Sequence, residues 1–446
     1  MFSIVDPRLP FQSQMEFVCD ALAADFALDH HYRVSYLGMA GENYPSRFVR
    51  SMGGGLQGAS YECAPPYPQA PGMRLPSDSG AQAALVQKLV TLGREMFAAD
   101  TFDWRPNGGT SAAQAVLLGC CSRGDGFMHF APGDGGQVAL DAMARKVGID
   151  MHALPVRQDT LLVDIDLLAR RLQECPGIRL VMLDQSFKLR WQPLAEIRAA
   201  LPADITLAYD ASQDGGLIIG GVVPQPLLSG ADILLGNTHN TIPGPQKGYV
   251  AFANAAHPML LPVSSGLCPH LQTNCHAESI APLYLALVEM QLFGRPYAER
   301  VLGNARALAA GLYAEGLRVS GRCFGFTETH QVHVVIGSAR EARQLACESL
   351  SRAGIRCTAI EIPGSGGQHG LRFGVQALTR RGIDETGMAQ IARLIASVVV
   401  RRERSDVVQH EVSSFLLAYP LDPLHFSLDE HYGAPHGLRL REEVNA

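Results

Sequence analysis

The chain has 446 residues, 47% of them apolar and 18% charged, with a formal net charge of -6. That balance fits a soluble protein and leaves no broad basic surface for nucleic acid. No apolar run approaches the ~20 residues that span a bilayer, and the first residues, Met1-Phe-Ser-Ile-Val-Asp-Pro-Arg-Leu-Pro10, carry no basic region followed by an apolar stretch. A cytoplasmic enzyme or small-molecule binder is expected, with neither nucleic acid nor membrane as partner. Single cores rarely grow beyond roughly 250–300 residues, so two lobes and two terminal segments are predicted.

The first forty or so residues read as an arm with a helix around 13–26. From about residue 76, helical periodicity alternates with short apolar strands. Residues 81–93 repeat apolar side chains at three and four positions, which predicts a helix packed on one face. Residues 126–130, 180–183, 205–209 and 233–235 are short apolar runs bounded by turn residues, the pattern of buried parallel strands. Together they predict an α/β sheet with helices on both faces. A helical stretch from 278 to about 317 leads into a smaller α/β unit, with strands at 332–336 and 370–374 and a helix at 385–400. The predicted organisation is an arm (1–45), a large domain (46–295), a small C-terminal domain (296–400) and a tail (401–446) that is either a packed arm or a partner contact. The ten cysteines are scattered and read as buried free thiols. Cys268, Cys275 and His276 lack the second ligand pair of a zinc site, and no metal is expected.

In open α/β sheets, ligands sit beyond the carboxyl ends of the strands. Ser186 follows one predicted strand, Asp210 closes the next, and His239 and Asn240 follow a third. Asp210-Ala-Ser-Gln-Asp-Gly-Gly216 places a carboxylate at a strand end with glycines beyond it. Such a carboxylate pairs with a protonated heteroaromatic nitrogen, or it caps a turn. Pro106-Asn-Gly-Gly-Thr-Ser-Ala-Ala-Gln114 precedes a helical pattern. Its backbone amides and the Thr110 and Ser111 hydroxyls suit a phosphate at a helix N-terminus.

These motifs resemble serine hydroxymethyltransferase, a pyridoxal 5'-phosphate (PLP) enzyme of the aspartate aminotransferase fold. Asn107-Gly-Gly-Thr110 matches the family's phosphate loop, and Ala40-Gly-Glu-Asn43 is similar to its Ala-Ser-Glu-Asn. Gly236-Asn-Thr-His-Asn-Thr-Ile-Pro-Gly-Pro-Gln-Lys-Gly248 looks like its cofactor loop, and Gly370-Leu-Arg-Phe-Gly374 like the strand that carries its substrate-carboxylate arginine. The resemblance runs from about residue 35 to 400. It implies the PLP-dependent transferase fold of type I, with a mostly parallel seven-stranded sheet in the large domain and a smaller C-terminal α/β domain. It also implies a homodimer with shared active sites. By residue, it implies Gly109 and Thr110 at the phosphate, Ser186 near the phenolic oxygen, Asp210 at the ring nitrogen and His239 against the ring. Lys247 and Gly248 fall in the loop that reaches the neighbouring subunit's phosphate, Arg372 would hold the substrate carboxylate, and Glu62 falls at the acid/base position.

Four positions depart from the family pattern. Gly41 replaces a serine, Asp134 stands where an imidazole stacks on the ring, and Gln213 replaces a histidine. Asn240 stands where the family has the lysine that holds PLP as a Schiff base, and an amide cannot form an imine. Asp134 would bind a cationic substrate group or face solvent. Only Lys88, Lys146, Lys188 and Lys247 exist in the chain to take the lysine's place. Lys88 and Lys146 fall in helical patterns away from the expected pocket. Lys188 reads as a surface or salt-bridge residue, and Lys247 reads first as a point charge on phosphate, then as a solvated loop lysine or a relocated Schiff base.

The expected function is PLP chemistry at Cα of an amino acid substrate in a specialised biosynthesis, with the cofactor held non-covalently or as the substrate's own imine, an external aldimine. Glu62, His239 and Asn240 are its catalytic candidates, with His239 either moving protons or packing on the ring. Two alternatives are a pyridoxamine-phosphate enzyme on the same fold and a non-catalytic B6-binding homologue.

Overall fold

The computed structural model describes residues 24, 27, 31, 34–53 and 80–432. Glu62 and nearly all of the predicted helix at 13–26 lie outside them. In chain order the large domain contains β1 (Thr101–Asp103), α1 (Gly109–Cys120), β2 (Gly126–His129), β3 (Asp150–Ala153), β4 (Ile178–Leu183), β5 (Thr206–Asp210), β6 (Ile233–Asn237) and β7 (Gly248–Phe252). The seven strands form one sheet of order β1-β7-β6-β5-β4-β2-β3, as the fold type requires. Antiparallel pairing is confined to β7, which runs against both β1 and β6.

The central strands form because they are apolar on both faces. Leu180, Val181 and Met182 of β4, Leu207 and Ala208 of β5, and Ile233, Leu234 and Leu235 of β6 are all buried. A parallel strand covered by helices on both sides needs such an unbroken run, and burying each large aliphatic chain contributes roughly 1.5–3 kcal/mol. These strands end at Leu183, Asp210 and Asn237, so the segments that follow all leave the sheet on one edge.

Helix α2 (Ile280–Ala314) runs without a break through position 295, with Pro296 inside it. A proline there removes one helical N–H, and packing compensates. The α2 side chains Leu283, Leu287, Met290, Val301, Leu308 and Leu312 are buried at helical spacing, against helix Gly80–Phe97 on one side and α3 (Glu385–Val399) on the other. Between α2 and α3 lie β8 (Arg318–Val319), β9 (Gln331–Gly337), β10 (Thr358–Glu361) and β11 (His369–Gly374), an antiparallel sheet of order β8-β9-β11-β10. Asp384 caps α3 by accepting from Gly387 N at 2.9 Å.

The termini join the two sheets. Leu37–Gly38 pairs in parallel with Ile355–Arg356, which brings Ala40–Asn43 to the junction of the lobes. As far as residue 432, the tail is a packed arm. Its helix Ser405–Leu416 rests on α3, and Leu428 N donates to Glu289, whose other oxygen accepts from the buried Arg380 at 3.0 Å. Asp422 accepts from Arg50 at 2.9 Å, and Asp429 accepts from Arg47 N at 3.0 Å. Removing either partner of the Arg380–Glu289 pair would leave a buried charge unpaired, at a cost of about 3–5 kcal/mol. Cys120, Cys121, Cys268 and Cys275 are buried and in no disulfide, whereas Cys323 and Cys347 are exposed, contrary to the expectation that the cysteines are buried. No helix among the described residues is long and apolar enough to cross a membrane.

Candidate active site

A cavity of about 380 Å³ opens at the carboxyl edge of β4, β5 and β6. One end is the N-terminus of α1, where Gly108, Gly109 and Thr110 form the wall. First-turn amides of a helix have no intrahelical acceptor, and the helix dipole adds positive potential there, so this end suits an anion. A side chain at Gly109 would close it, because a Cβ would lie 2.6 Å from Ser212 Oγ. Thr110 Oγ1 accepts from Gln137 Nε2 at 3.3 Å. Ser111 does not serve the anion as expected: its hydroxyl turns back, accepting from Gly108 N at 3.1 Å and donating to Gly108 O at 2.9 Å.

Behind this cup lies Lys247, and its placement corrects the expectation that its ammonium meets a phosphate. Only 1% of the residue is exposed. Its Nζ donates to Arg105 O at 2.9 Å, Cys275 O at 2.9 Å and Asn107 Oδ1 at 3.2 Å, which uses all three N–H groups away from the cavity. Burial lowers its pKa to about 8. Gly248 likewise lies behind the wall. Its N–H donates to Pro106 O at 2.8 Å, and a Cβ would stand 2.4 Å from Gly108 O, so glycine lets β7 press against the cup.

The opposite wall comes from the ends of β4 and β5. Asp210, 5% exposed, accepts from Ser212 N at 2.8 Å, and burial pushes its pKa up to about 6. Ser186 N donates to Gly135 O at 2.7 Å, which fixes the turn after β4. Gln213 Oε1 accepts from both Arg372 Nη2 at 3.0 Å and Gln331 Nε2 at 3.1 Å. That network orients the amide and leaves its Nε2 donors for the cavity.

Arg372, on β11, joins the site through Gln213. It also donates through Nη1 to Ala40 O, and Nη2 lies 3.3 Å from His330 Nε2. Burial lowers its pKa to about 10, and its buried Nε has no hydrogen-bond partner. No carboxylate hydrogen-bonds to this guanidinium among the described residues. The Glu42 carboxylate acts on the guanidinium through space only, so its hydrogen bonds go to neutral groups and its Nε is left for an anionic ligand.

Asn240 is buried beside it. Its Nδ2 donates to Ser212 O at 3.0 Å, and its main-chain O accepts from Asn43 Nδ2 at 2.6 Å. A Cβ on Gly41 would lie 3.6 Å from Asn240 Oδ1 and 3.5 Å from Arg372 Nη1, so these three residues meet at one point. His239 lines the cavity; burial lowers its pKa, which keeps it neutral at pH 7, and its buried Nδ1 has no hydrogen-bond partner.

Asp134 does not enter the cavity wall. It sits in the short turn Pro132–Asp134, its carboxylate accepting from Gln158 Nε2 at 3.0 Å and its carbonyl from Gln185 Nε2 at 3.1 Å. Lys188 is buried in a salt bridge and is not a surface residue. The cavity also takes in Gln137, Gln185, Ser212, Asn237 and Gln246, which sequence reasoning missed. They are neutral and aperiodic; adjacency to Ser186, Gln213 and the cofactor-like loop is the one signal that pointed to four of them.

A serine hydroxymethyltransferase family model matches residues 41–395. The chain belongs to the serine hydroxymethyltransferase family. The enzyme of that name from Methanopyrus kandleri is 35% identical over 328 residues, covering 71% of this chain and 75% of that one. The one from Pyrococcus furiosus is 32% identical over 356 residues, covering 78% and 82%. Among solved structures, L-threonine transaldolase from Pseudomonas fluorescens in its internal aldimine state superposes with a TM-score of 0.91 at 48% identity, covering 94% of this chain and 96% of that one. This serine hydroxymethyltransferase family member is accordingly a PLP-dependent enzyme of the transferase type and of fold type I.

The residues at the phosphate and ring-nitrogen ends of the cavity fit PLP. The cup at Gly109 is cleared of side chain, and the buried Asp210 carboxylate accepts from Ser212 N and from no ammonium or guanidinium among the described residues. Asn240 offers only an amide, which donates to Ser212 O and cannot form an imine.

Proposed function

We propose that this family member breaks and forms the Cα–Cβ bond of β-hydroxy-α-amino acids, exchanging one aldehyde for another, with PLP held non-covalently, in a specialised biosynthesis. One observation carries the reading: the anion cup and the ring partner line one cavity, and the carboxylate anchor Arg372 adjoins it through Gln213, while Asn240 beside them is a hydrogen-bonded amide. The 48% identical neighbour supports the bond type, being an L-threonine transaldolase. An internal aldimine is a link through a protein amine, which Asn240 does not have.

Gly109 and Thr110 hold the phosphate, Asp210 the protonated ring nitrogen, and Ser186 with Gln213 Nε2 the phenolic oxygen. PLP, when bound, supplies an electron-withdrawing ring that stabilises negative charge at Cα. Arg372 fixes the substrate carboxylate. Neutral His239 takes the β-hydroxyl proton as the Cα–Cβ bond breaks and the first aldehyde leaves. It returns that proton to the oxygen of the incoming aldehyde as the new bond forms, so the exchange is redox-neutral. Without a lysine amine, replacing one amino acid by the next depends on water, and turnover is slow. A homodimer with shared sites completes the cavity, as is typical of the family.

The test is incubation of the protein with PLP, L-threonine and benzaldehyde, with acetaldehyde and the new β-hydroxy amino acid quantified by chromatography. Both products should appear in equal amounts, and Arg372→Leu should abolish them. Tight PLP binding with no product from any β-hydroxy amino acid would leave a non-catalytic B6-binding homologue instead. Product with pyridoxamine 5'-phosphate alone would favour the amine-form reading.

A further inference from the structure

A buried charge cluster lies behind the ring-side wall, and neither the cavity nor the proposed reaction uses it. Lys188, 3% exposed, donates to Asp214 Oδ2 at 2.7 Å. Tyr209 OH donates to the same oxygen at 2.8 Å. Lys188 Nζ also lies 3.2 Å from Tyr209 OH, 3.5 Å from Asp210 O and 4.6 Å from the Tyr209 ring centre. Each member is adjacent in sequence, or nearly so, to a cavity residue: Lys188 follows Ser186 by two, Tyr209 precedes Asp210, and Asp214 follows Gln213. Thr329 Oγ1 ties the Lys188 carbonyl to the small domain at 2.9 Å.

We propose that Lys188 is a positioning residue for the cofactor: its ammonium, held by Asp214 and Tyr209, keeps Asp210 ionised and so keeps the PLP ring nitrogen protonated. A buried ion pair costs desolvation and is a weak source of stability by itself. Its place here, within two residues of three cavity positions, gives it an electrostatic task. The groups facing Asp210 are Lys188 and Asp184 from the end of β4 and the turn after it, Tyr209 from β5, Asp214 beyond β5 and Tyr249 from β7. Asp184, which acts on Asp210 in the opposite sense, is hydrogen-bonded by His129 Nδ1 at 3.1 Å, whereas the Lys188 ammonium lies 3.5 Å from Asp210 O. Burial raises the Asp210 pKa and Lys188 opposes that rise. The inference rests on the PLP site and not on the reaction assigned to it.

The experiment measures PLP dissociation constants by equilibrium dialysis of the full chain from pH 5 to 8, with folding checked by circular dichroism. In the unsubstituted protein, affinity should fall as pH drops through about 6, where free Asp210 takes up a proton. Lys188→Met should move that midpoint up by about one pH unit, weakening binding about fivefold at pH 6 while leaving pH 8 little changed. Asp214→Asn leaves the ammonium without its counter-charge and should move the midpoint down. If Lys188→Met does not fold, Lys188→Met with Asp214→Asn removes both charges and should still shift the midpoint upward. A loss equal at every pH, or shifts of the same sign in Lys188→Met and Asp214→Asn, would overturn the proposal. Failure of the unsubstituted protein to bind PLP at all would instead remove the cofactor site itself.

Discussion

The two walls of the cavity are both made at strand ends, yet they carry opposite chemistry. At the ends of β4 and β5, Asp210 is a buried carboxylate braced by the Lys188–Asp214–Tyr209 cluster. After β6, the wall is neutral: His239 is uncharged, Asn240 is an amide tied to Ser212, and the nearby Lys247 is turned inward onto carbonyl oxygens. The contrast separates two tasks that a lysine-bearing site combines. In the proposed function the first wall recognises the cofactor, and the second offers it no amine.

The largest expected effect tests the neutral wall. His239→Phe should lower kcat by about a hundredfold or more, the usual worth of a positioned proton-transfer group, and should change PLP affinity little. An unaltered kcat would make His239 a packing residue only.

Asp210→Asn tests the charged wall and should weaken PLP binding by roughly ten- to a hundredfold, as for loss of a charged hydrogen bond. The same substitution should stabilise the cofactor-free protein. Asp210 has a folded pKa of about 6, above its usual carboxylate value, so the folded state holds the extra proton between about pH 4 and 6. The resulting stabilisation is present below the unfolded value and lost as pH rises through about 6, leaving an ionised, desolvated carboxylate at pH 8 that costs about 3 kcal/mol at most. Thermal melts at pH 8 should show a higher Tm for the cofactor-free Asp210→Asn protein and a much reduced rise on adding PLP. The smallest effect on the cofactor is expected from Lys247→Met. It should cost stability on the order of 1–3 kcal/mol by leaving acceptors unpaired, while PLP affinity measured by dialysis stays within about twofold.

Much of the fold was legible because its signal is local. The apolar runs that became β2, β4, β5 and β6 match the buried strands to within two residues at each end, and the periodicity of α2 and α3 survived intact. β1 and β3 were not legible, being three residues long in one case and half-exposed in the other. Nothing in the pattern of β7 announced that it would run antiparallel.

At the site, strand-end position was enough to bring Ser186, Asp210 and His239 to one cavity, with Asn240 outside its lining, whereas Gln213 was legible only through the family resemblance. Side-chain direction was not readable. Lys247 sits seven residues from Asn240 in the cofactor-like loop, but a loop position does not say which way the chain points, and three carbonyl-type acceptors drew the ammonium inward. Asp134 failed for the same reason, since a polar neighbour, Gln158, claims its carboxylate outside the cavity. The Lys188–Asp214 pair joins residues 26 positions apart and became visible only when β4 and β5 were set side by side.

Borohydride reduction of the PLP-loaded protein, followed by mass spectrometry of its peptides, bears most directly on the covalent question. The account predicts no pyridoxyl group on any peptide of the unsubstituted chain, while Asn240→Lys acquires one at residue 240. A pyridoxyl group on the Lys188 or Lys247 peptide would contradict it.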